Sequence, residues 1–297
     1  MIGFDFNCFL QIGQAILAGQ SPYSAPWSFY PPATSYLFII FGLLPFNIGF
    51  GVWTGVSLIL FQRTISRSQK GWRGLVWLAF APVTFCFLSG QIDIFFLWLT
   101  GFLTSRGWKA ILAGVLLTLK PQIAFIVLPW FLLQWFLHDR RQFLWWAAAT
   151  ATLHASPLLI DPLIFQKWLA LGKSESGWRL PASPGVFTLL NFNIPLVWIV
   201  ILAAAFVVAG LVLLRSFMFS WAAQVLAMPA GLWYENVFLI GSTPWWLLVP
   251  VSWVCVLVAY QVHNNYPFVL IPLVSLIWQY IHRREKVIQP LPLPAQA

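Results

Sequence analysis

The chain has 297 residues, of which 60% are hydrophobic and 8% are charged, and its formal net charge is +9. Soluble domains carry about 25% charged residues, so this composition excludes an ordinary soluble protein. The basic residues stand in short clusters between apolar tracts, which is typical of membrane topology signals and contacts with lipid headgroups and not of nucleic-acid binding. We therefore predict an all-α polytopic protein of the cell membrane, with about 8–12 transmembrane or half-membrane helices.

The first segment combines an acidic residue with a polar loop that a plain membrane anchor does not need. Asp5 is followed by Gly19-Gln20-Ser21-Pro22-Tyr23 and by Tyr30-Pro31-Pro32, which opens an apolar tract. A carboxylate beside lipid is costly unless it is paired, hydrated or used. We predict that residues 1–32 form an outer catalytic loop with a juxtamembrane helix. The alternative is that Asp5 only caps a helix beginning near Phe6.

Basic clusters then divide the chain, and by the positive-inside rule they face the cytoplasm. Between Arg73 and Arg106 the chain must go out and return, and its only polar break is at 88–93. Each leg then has about 14 residues, fewer than the roughly 20 that cross a bilayer core. The stretch from Lys109 to Arg140 repeats this pattern, with its break at 120–122. Loops at that depth must line a protein cavity, so we predict an outward-facing cavity lined by Asp5, Asp93 and Lys120.

The second half alternates spans with polar segments. Residues 143–160 and 194–214 are predicted spans, 161–193 a predicted outer loop, and 231–236 and 263–267 two further polar breaks. Residues 1–286 are expected to form a single integral membrane domain, and the Pro-rich residues 287–297 a disordered tail. The three cysteines and the scattered histidines indicate neither a disulfide framework nor a metal site.

Several blocks along the chain resemble glycosyltransferase family 87, of the GT-C superfamily of polytopic transferases. From Asp5 to about Trp130 the resemblance is carried by the order and spacing of these blocks. They are Asp5, Gln14 to Tyr23, Tyr30-Pro31-Pro32 with the run ending Leu43-Leu44-Pro45, Ser89-Gly90-Gln91-Ile92-Asp93 followed by Arg106-Gly107, and Ala113-Gly114 followed by Lys120-Pro121. Tyr234-Glu235 stands where the family tends to carry a Tyr-Asp pair. The family normally has a span before the aspartate, and this sequence starts four residues ahead of Asp5. Two explanations are open: the sequence is incomplete at its N-terminus, or it is a shortened homologue that lacks this span.

The resemblance implies an inverting transfer of a sugar, typically mannose, from a polyprenyl-phosphate donor to a lipid or glycan hydroxyl on the outer face. Asp5 aligns with the aspartate expected to act as general base. Nothing in the sequence demands a metal or other cofactor; a divalent ion that bridges Asp5 or Asp93 to the phosphate is the alternative. A carboxylate can take the proton of an attacking hydroxyl, and a cation can stabilise the charge that develops on the leaving phosphate. Lys120 and Arg179 are the candidate phosphate-binding cations.

The candidate cavity-lining residues share a place in or beside a polar break: they are Tyr23, Tyr30, Gln91, Asp93, Gln122, Tyr234, Glu235 and His263. Other interpretations exist for some of them. Asp93 is equally explained as a helix cap, Lys120 as a side chain that snorkels to the interface, and Arg179 as an interfacial partner of Trp178. Glu235 is expected either to bind a sugar hydroxyl or to pair with a cation across the cavity.

Two other functions compete with the transferase. Broken helices with polar residues at depth also suit a transporter or flippase of a lipid-linked solute, although no inverted repeat is visible. A third hypothesis is an inactive transferase homologue that acts as an assembly partner. The transferase hypothesis differs from both in requiring Asp5 for turnover.

Overall fold

The computed structural model describes residues 2–68, 71–179, 182–212, 217–228 and 232–282. Within these ranges the protein is entirely helical and contains no β-strand. Its helices in the first half are α1 Phe4–Leu17, α2 Pro32–Leu37, α3 Ile39–Gly42, α4 Phe46–Ser68, α5 Ala81–Ser89, α6 Asp93–Thr100 and α7 Trp108–Leu117. Those of the second half are α8 Val127–His138, α9 Arg140–Ala155, α10 Ile164–Arg179, α11 Leu196–Val212, α12 Phe217–Ala227, α13 Trp245–Val262 and α14 Leu270–Ile281.

Short 3-10 helices connect many of these elements, at Pro22–Ser24, Gly71–Ala79, Pro121–Ile123, Ser156–Leu159, Val186–Phe192, Trp233–Leu239 and Tyr266–Val269. Proline occupies one of the first two positions in several of them, and also in α2 and α5. Proline fixes φ near the helical value and its missing N–H is not needed there. The prolines of Tyr30-Pro31-Pro32 thus restrict the backbone where α2 begins.

Two helices in the described ranges are long and apolar enough to cross a membrane, namely Phe46–Arg67 and Trp245–Val262. A third candidate is the pair Arg140–Leu159 and Ile164–Ser174, which is bent by 94° at its break. The predicted class of an all-α membrane protein is confirmed by this architecture.

The legs on either side of the predicted breaks are short. Helices α5 and α6 have 9 and 8 residues, and α7 and α8 have 10 and 12. At 1.5 Å per residue they reach about 12–18 Å, against a hydrocarbon core of about 30 Å. These helix lengths agree with the short legs that the spacing of basic clusters and polar breaks predicts.

The basic clusters of the first half lie at one end of the bundle. The Arg67 guanidinium lies 4.4 Å from the ring centroid of Phe102, close to Arg106. The backbone N–H of Gly107 donates to Gln142 Oε1 at 2.9 Å, next to Arg141. Consequently the C-terminal ends of α4 and α6 lie near the N-terminal ends of α7 and α9, while the polar breaks at 90–92 and 118–122 lie at the other ends of the short helices.

Two regions differ from the predicted loops. Residues 4–17 form α1, which packs against α3, and residues 164–179 of the predicted outer loop form α10. Helix α10 contains the good helix formers Gln166, Lys167, Leu169, Ala170, Leu171 and Lys173, of which the polar ones are also common in loops. Polarity alone is therefore a poor indicator of a loop. The predicted disordered tail at 287–297 lies outside the described residues.

Helix α1 is held against α3 by a backbone contact between two glycines. A Cβ on Gly13 would overlap the carbonyl oxygen of Phe38 and come within 2.7 Å of the Gly42 nitrogen. We expect Gly13→Ala to destabilise the protein by about 1–3 kcal/mol, because the helices must separate to admit the methyl group. Thermal unfolding in detergent measures this. Gly55→Ala is the control, since a Cβ there meets nothing within 4 Å and alanine favours the helix. Equal melting temperatures for the two variants would contradict the close packing of α1.

Candidate active site

Three polar breaks, distant in the chain, bring their charged side chains together. Asp93 is the first residue of α6, Lys120 precedes the 3-10 helix Pro121–Ile123, and Glu235 lies in the 3-10 helix Trp233–Leu239. The break before Asp93 depends on Gly90, whose φ of 76° is in the left-handed region. A Cβ there would lie 2.6 Å from the Cβ of Phe6. Only glycine fits this turn, which ends α5 and starts the return of the chain.

Asp93, Lys120 and Glu235 form what we call the buried charge cluster. Lys120 Nζ lies 2.5 Å from Asp93 Oδ1 and 2.9 Å from Glu235 Oε1. The three residues are 0%, 3% and 2% exposed, respectively. Burial of one ammonium is costly, and two carboxylates compensate it while leaving a formal charge of −1 on the cluster. Of the two roles expected for Glu235, the structure shows a contact with a cation, Lys120.

The cluster keeps unused acceptors. Asp93 Oδ2 and Glu235 Oε2 are both buried, and neither has a hydrogen-bond partner in the part of the chain that the structure describes. Most buried polar atoms are satisfied, and an orphaned acceptor costs about 1–3 kcal/mol. Two such oxygens beside one lysine are therefore poised to accept hydrogen bonds from a ligand.

Gln91 and Tyr234 form one wall of the cluster. Gln91 Nε2 donates to the Tyr234 hydroxyl at 2.5 Å, and Gln91 Oε1 accepts from the backbone N–H of Ile92 at 2.9 Å. The ring of Tyr234 has its centroid 5.8 Å from Lys120 Nζ, within the range of a cation–π contact. These contacts fix the tyrosine ring over the ammonium.

Asp5 lies beside this wall. It is half-buried in the first turn of α1, where the helix dipole favours an anion. Burial raises the pKa of Asp5 above its usual range, and the negative charge of Asp93 adds to this. The nearby Ser89 and Gln91 side chains and the positive charge of Lys120 lower the pKa in part. The carboxylate is therefore electrostatically connected to the cluster and sits on α1, outside the helices that are long enough to cross a membrane.

The capping and snorkelling interpretations are wrong for three residues. Neither α1 nor α6 has a side-chain cap hydrogen bond, and their N-cap residues are Gly3 and Ile92, not Asp5 or Asp93. Lys120 is enclosed and doubly paired, so it does not reach a membrane interface. For a lysine between two short helices, pairing with buried carboxylates stabilises the charged form more than extending the side chain to solvent does.

Of the predicted site residues, the structure gathers Asp5, Tyr30, Gln91, Asp93, Lys120, Tyr234 and Glu235. The phenol of Tyr30 is within electrostatic range of Lys120, Asp93 and Asp5. Tyr23 takes a supporting position, because its hydroxyl donates to the carbonyl oxygen of Tyr30 at 3.1 Å. Gln122 is half-buried, and no hydrogen bond from its side chain to the cluster occurs among the described residues. The side chain of Arg179 lies outside the described part of the structure.

The predicted outward-facing cavity takes a different form. Asp93 and Lys120 do not line an open space but are packed together with Glu235. A separate open cavity of about 580 Å³ is lined by His263, Trp233 and Asn265, among others. The residues of the buried charge cluster are not among those lining it. Opposite charges close a polar gap unless a ligand holds it open, which explains the packed arrangement.

Gln224 supports the site and was not predicted from the sequence. This fully buried side chain of α12 accepts from the backbone N–H groups of Ile126 and Val127, both at 3.0 Å, and donates to the carbonyl oxygen of Ile123. It satisfies backbone groups that the break after Lys120 leaves unpaired. The sequence feature that could have indicated this role is a glutamine within the largely apolar sequence of α12.

Ser89 is a second residue that sequence analysis did not single out. It ends α5 directly before Gly90 and lowers the pKa of Asp5. As for metals, the described residues contain no group of three or more His, Cys, Asp and Glu side chains arranged to hold an ion.

Comparison with known proteins identifies the family. The profile of glycosyltransferase family 87 matches residues 27–227, which is more than half of the chain. The matched region includes Asp93 and Lys120, begins after Asp5 and ends before Glu235. Searches of curated proteins and of solved structures found no match. The family match and the buried polar site within an all-helical membrane fold agree, and the chain therefore belongs to glycosyltransferase family 87 and is a membrane glycosyltransferase.

Proposed function

We propose that this transferase moves a sugar, mannose in the first instance, from a polyprenyl-phosphate donor to a hydroxyl of a lipid or glycan on the outer face of the membrane. The observation that carries the proposal is the position of the Asp5 carboxylate beside the buried charge cluster, at breaks partway along the bundle. In this proposal the lipid-linked donor brings its phosphate and sugar to these breaks. Membrane lipids are the remaining partners, and no nucleic acid is involved.

In this proposal Asp5 acts as general base. Its carboxylate takes the proton of the acceptor hydroxyl while the hydroxyl oxygen forms a bond to the anomeric carbon. The bond between that carbon and the phosphate oxygen breaks, and its electron pair leaves with the polyprenyl phosphate. A single displacement of this kind inverts the anomeric configuration. The helix dipole and the positive charge of Lys120 favour the anionic form of Asp5 and partly offset the rise in pKa that burial causes.

The buried charge cluster serves the sugar ring. Transfer of a glycosyl group passes through a transition state with positive charge on the ring, which a cluster of net charge −1 stabilises. The unpartnered Asp93 Oδ2 and Glu235 Oε2 offer acceptors for sugar hydroxyls. These interactions position the anomeric carbon in front of Asp5.

Lys120 and Arg179 remain the proposed partners of the donor phosphate. Because Lys120 already has two carboxylate partners, a phosphate would replace one of them in its coordination, and the positive charge of Arg179 would offset the negative charge that the phosphate adds. The guanidinium of Arg179 offers bidentate phosphate binding. We further propose that the protein is a multi-pass protein of the cell membrane, with its basic clusters facing the cytoplasm.

The proposal is tested by sugar transfer in nanodiscs. The purified protein is supplied with polyprenyl-phosphate mannose and mixed lipid acceptors, and the product is examined by mass spectrometry and by NMR of its anomeric proton. An inverted mannoside supports the proposal, and a retained configuration overturns the single displacement. Donor-independent movement of a lipid-linked solute in proteoliposomes without transfer would instead indicate a transporter.

A pH profile tests the role of Asp5 independently. The base acts only when deprotonated, so a raised pKa moves the acid limb of the profile to higher pH than an ordinary carboxylate gives. Since Ser89 lowers the pKa of Asp5, Ser89→Ala is expected to move the limb further upward. The measurement is kcat/KM from about pH 4 to pH 8, with Ser174→Ala, at an exposed serine, as the control. An unmoved or lowered limb in Ser89→Ala would argue against Asp5 as the base.

A further inference from the structure

The open cavity of about 580 Å³ contains polar groups to which the mechanism above assigns no role. It lies at the C-terminal end of α13 and is lined by Tyr260, His263 and Asn265 on one side, by Asn191 on another, and by Trp233 and Phe268 at its base. Its volume falls in the range of small-molecule sites. The lining joins two segments that the sequence places on the outer side, 161–193 and 263–267.

Three side chains in this cavity are free to bind a ligand. Within the described residues, the imidazole of His263, the amide of Asn265 and the hydroxyl of Tyr260 make no hydrogen bond. His263 is presented by a backbone φ of 52°, in the left-handed region, where it ends α13. Together these three side chains offer several hydrogen-bond donors and acceptors within a short segment of the chain.

The base of the cavity is a rigid aromatic surface. Trp233 stacks on Phe268 with centroids 4.4 Å apart and an interplanar angle of 14°. Phe85 meets the same indole edge-on, with centroids 4.7 Å apart. Such clamped rings keep their orientation and offer an apolar face with no loss of side-chain entropy on binding. A flat apolar face bordered by hydroxyl, amide and imidazole groups matches the two kinds of surface that a pyranose presents, its C–H face and its ring of hydroxyls.

The cavity is also adjacent to the reaction centre. The ring of Trp233 is 6.1 Å from that of Tyr234, and Tyr234 in turn bonds to Gln91 and covers Lys120. The two aromatic side chains of Trp233 and Tyr234 therefore separate the cavity from the buried charge cluster.

We propose that this cavity binds a sugar ring of the acceptor glycan, with the ring on Trp233 and its hydroxyls on His263 and Asn265. The proposal rests on the proposed function, because it assumes that the acceptor carries a sugar. The polar groups lie at the end of α13 and not along its apolar, membrane-facing surface, which suits a glycan better than the polyprenyl part of the donor. The bound acceptor would then extend past Tyr234 toward Asp5.

The test uses the full-length protein in nanodiscs and the variant His263→Gly/Asn265→Ala. Glycine at 263 removes the imidazole and tolerates the left-handed backbone. His138→Ala is the control, because His138 is an exposed histidine beside the basic cluster at the opposite end of the bundle. We expect the KM for a mannosylated acceptor to rise about tenfold in the double variant, with kcat and the donor KM unchanged, as for loss of uniform binding. A rise in the donor KM alone would assign the cavity to the donor sugar and overturn the proposal, as would unchanged kinetics.

Direct binding separates this inference from the proposed function. Saturation-transfer NMR with a mannose disaccharide should show contacts in the wild type and in His138→Ala that disappear in the double variant. If the wild type transfers no sugar but shows this pattern, the proposed function fails and the sugar site stands. If transfer occurs and the disaccharide signals are equal in all three proteins, the sugar site fails and the proposed function stands.

Discussion

Asp5→Asn is expected to lower kcat for sugar transfer by about 10²–10⁴-fold, the usual contribution of a general base. The amide keeps the size of the side chain, so the fold and the donor KM should change little. The amide cannot take the proton of the acceptor hydroxyl, so the hydroxyl must attack without a general base. Initial rates at saturating donor and acceptor in nanodiscs measure the effect.

Asp161→Asn serves as the matched control. Asp161 pairs with Lys167 at 2.6 Å on the surface, with side chains 20% and 45% exposed, respectively. Exposed pairs of this kind contribute little to stability, so this variant should transfer sugar at the wild-type rate. Full activity of Asp5→Asn would remove Asp5 from the base role and leave Asp93 and Glu235 as the carboxylates to examine.

Lys120→Met is expected to destabilise the protein by about 3–5 kcal/mol, because it leaves two buried carboxylates without a cation. The melting temperature in detergent should fall well below that of the wild type. Lys109→Met is the control, since Lys109 is an exposed lysine near the basic end of α7. The triple variant Lys120→Met/Asp93→Asn/Glu235→Gln removes the two negative charges as well, and should recover much of the lost stability.

The same variants separate the structural role of Lys120 from its proposed role at the phosphate. Lys120→Arg keeps a positive charge between Asp93 and Glu235, so its stability should stay close to that of the wild type. A higher donor KM in that variant, with unchanged stability, would support direct contact with the phosphate. Wild-type stability of Lys120→Met would contradict the buried charge cluster itself.

The organisation of the short helices could be predicted from sequence for a simple physical reason. The number of residues between two clusters that face one side of the membrane fixes how far the chain can reach before it turns. The break at Gly90 and the break at Lys120-Pro121 carry local signals, a glycine needed for a left-handed turn and a proline that ends a helix. Helix α10 carries no such local signal, because its helix-forming Gln and Lys residues are equally common in polar loops.

The choice of partners within the site could not be predicted in this way. The sequence identified Asp93, Lys120 and Glu235 as residues in polar breaks, and it allowed Asp93 and Lys120 to be a cap and a snorkelling cation. Gln224 gave no indication of its role, because the backbone groups that it satisfies lie about a hundred residues away in the chain. Contacts over such separations depend on how helices pack and not on local pattern.

The sequence by itself determined the membrane class, the lengths of the short legs and the polar residues that stand in their breaks, since each follows from local hydropathy and the thickness of a bilayer. Only the tertiary structure decided that Lys120 holds two carboxylates, one of them Asp93 from the preceding break and the other Glu235 from a distant one. It also decided that the cavity of His263 lies beyond Trp233, apart from that cluster. A buried charge demands a partner of opposite sign, but the packing of the helices selects which partner can reach it.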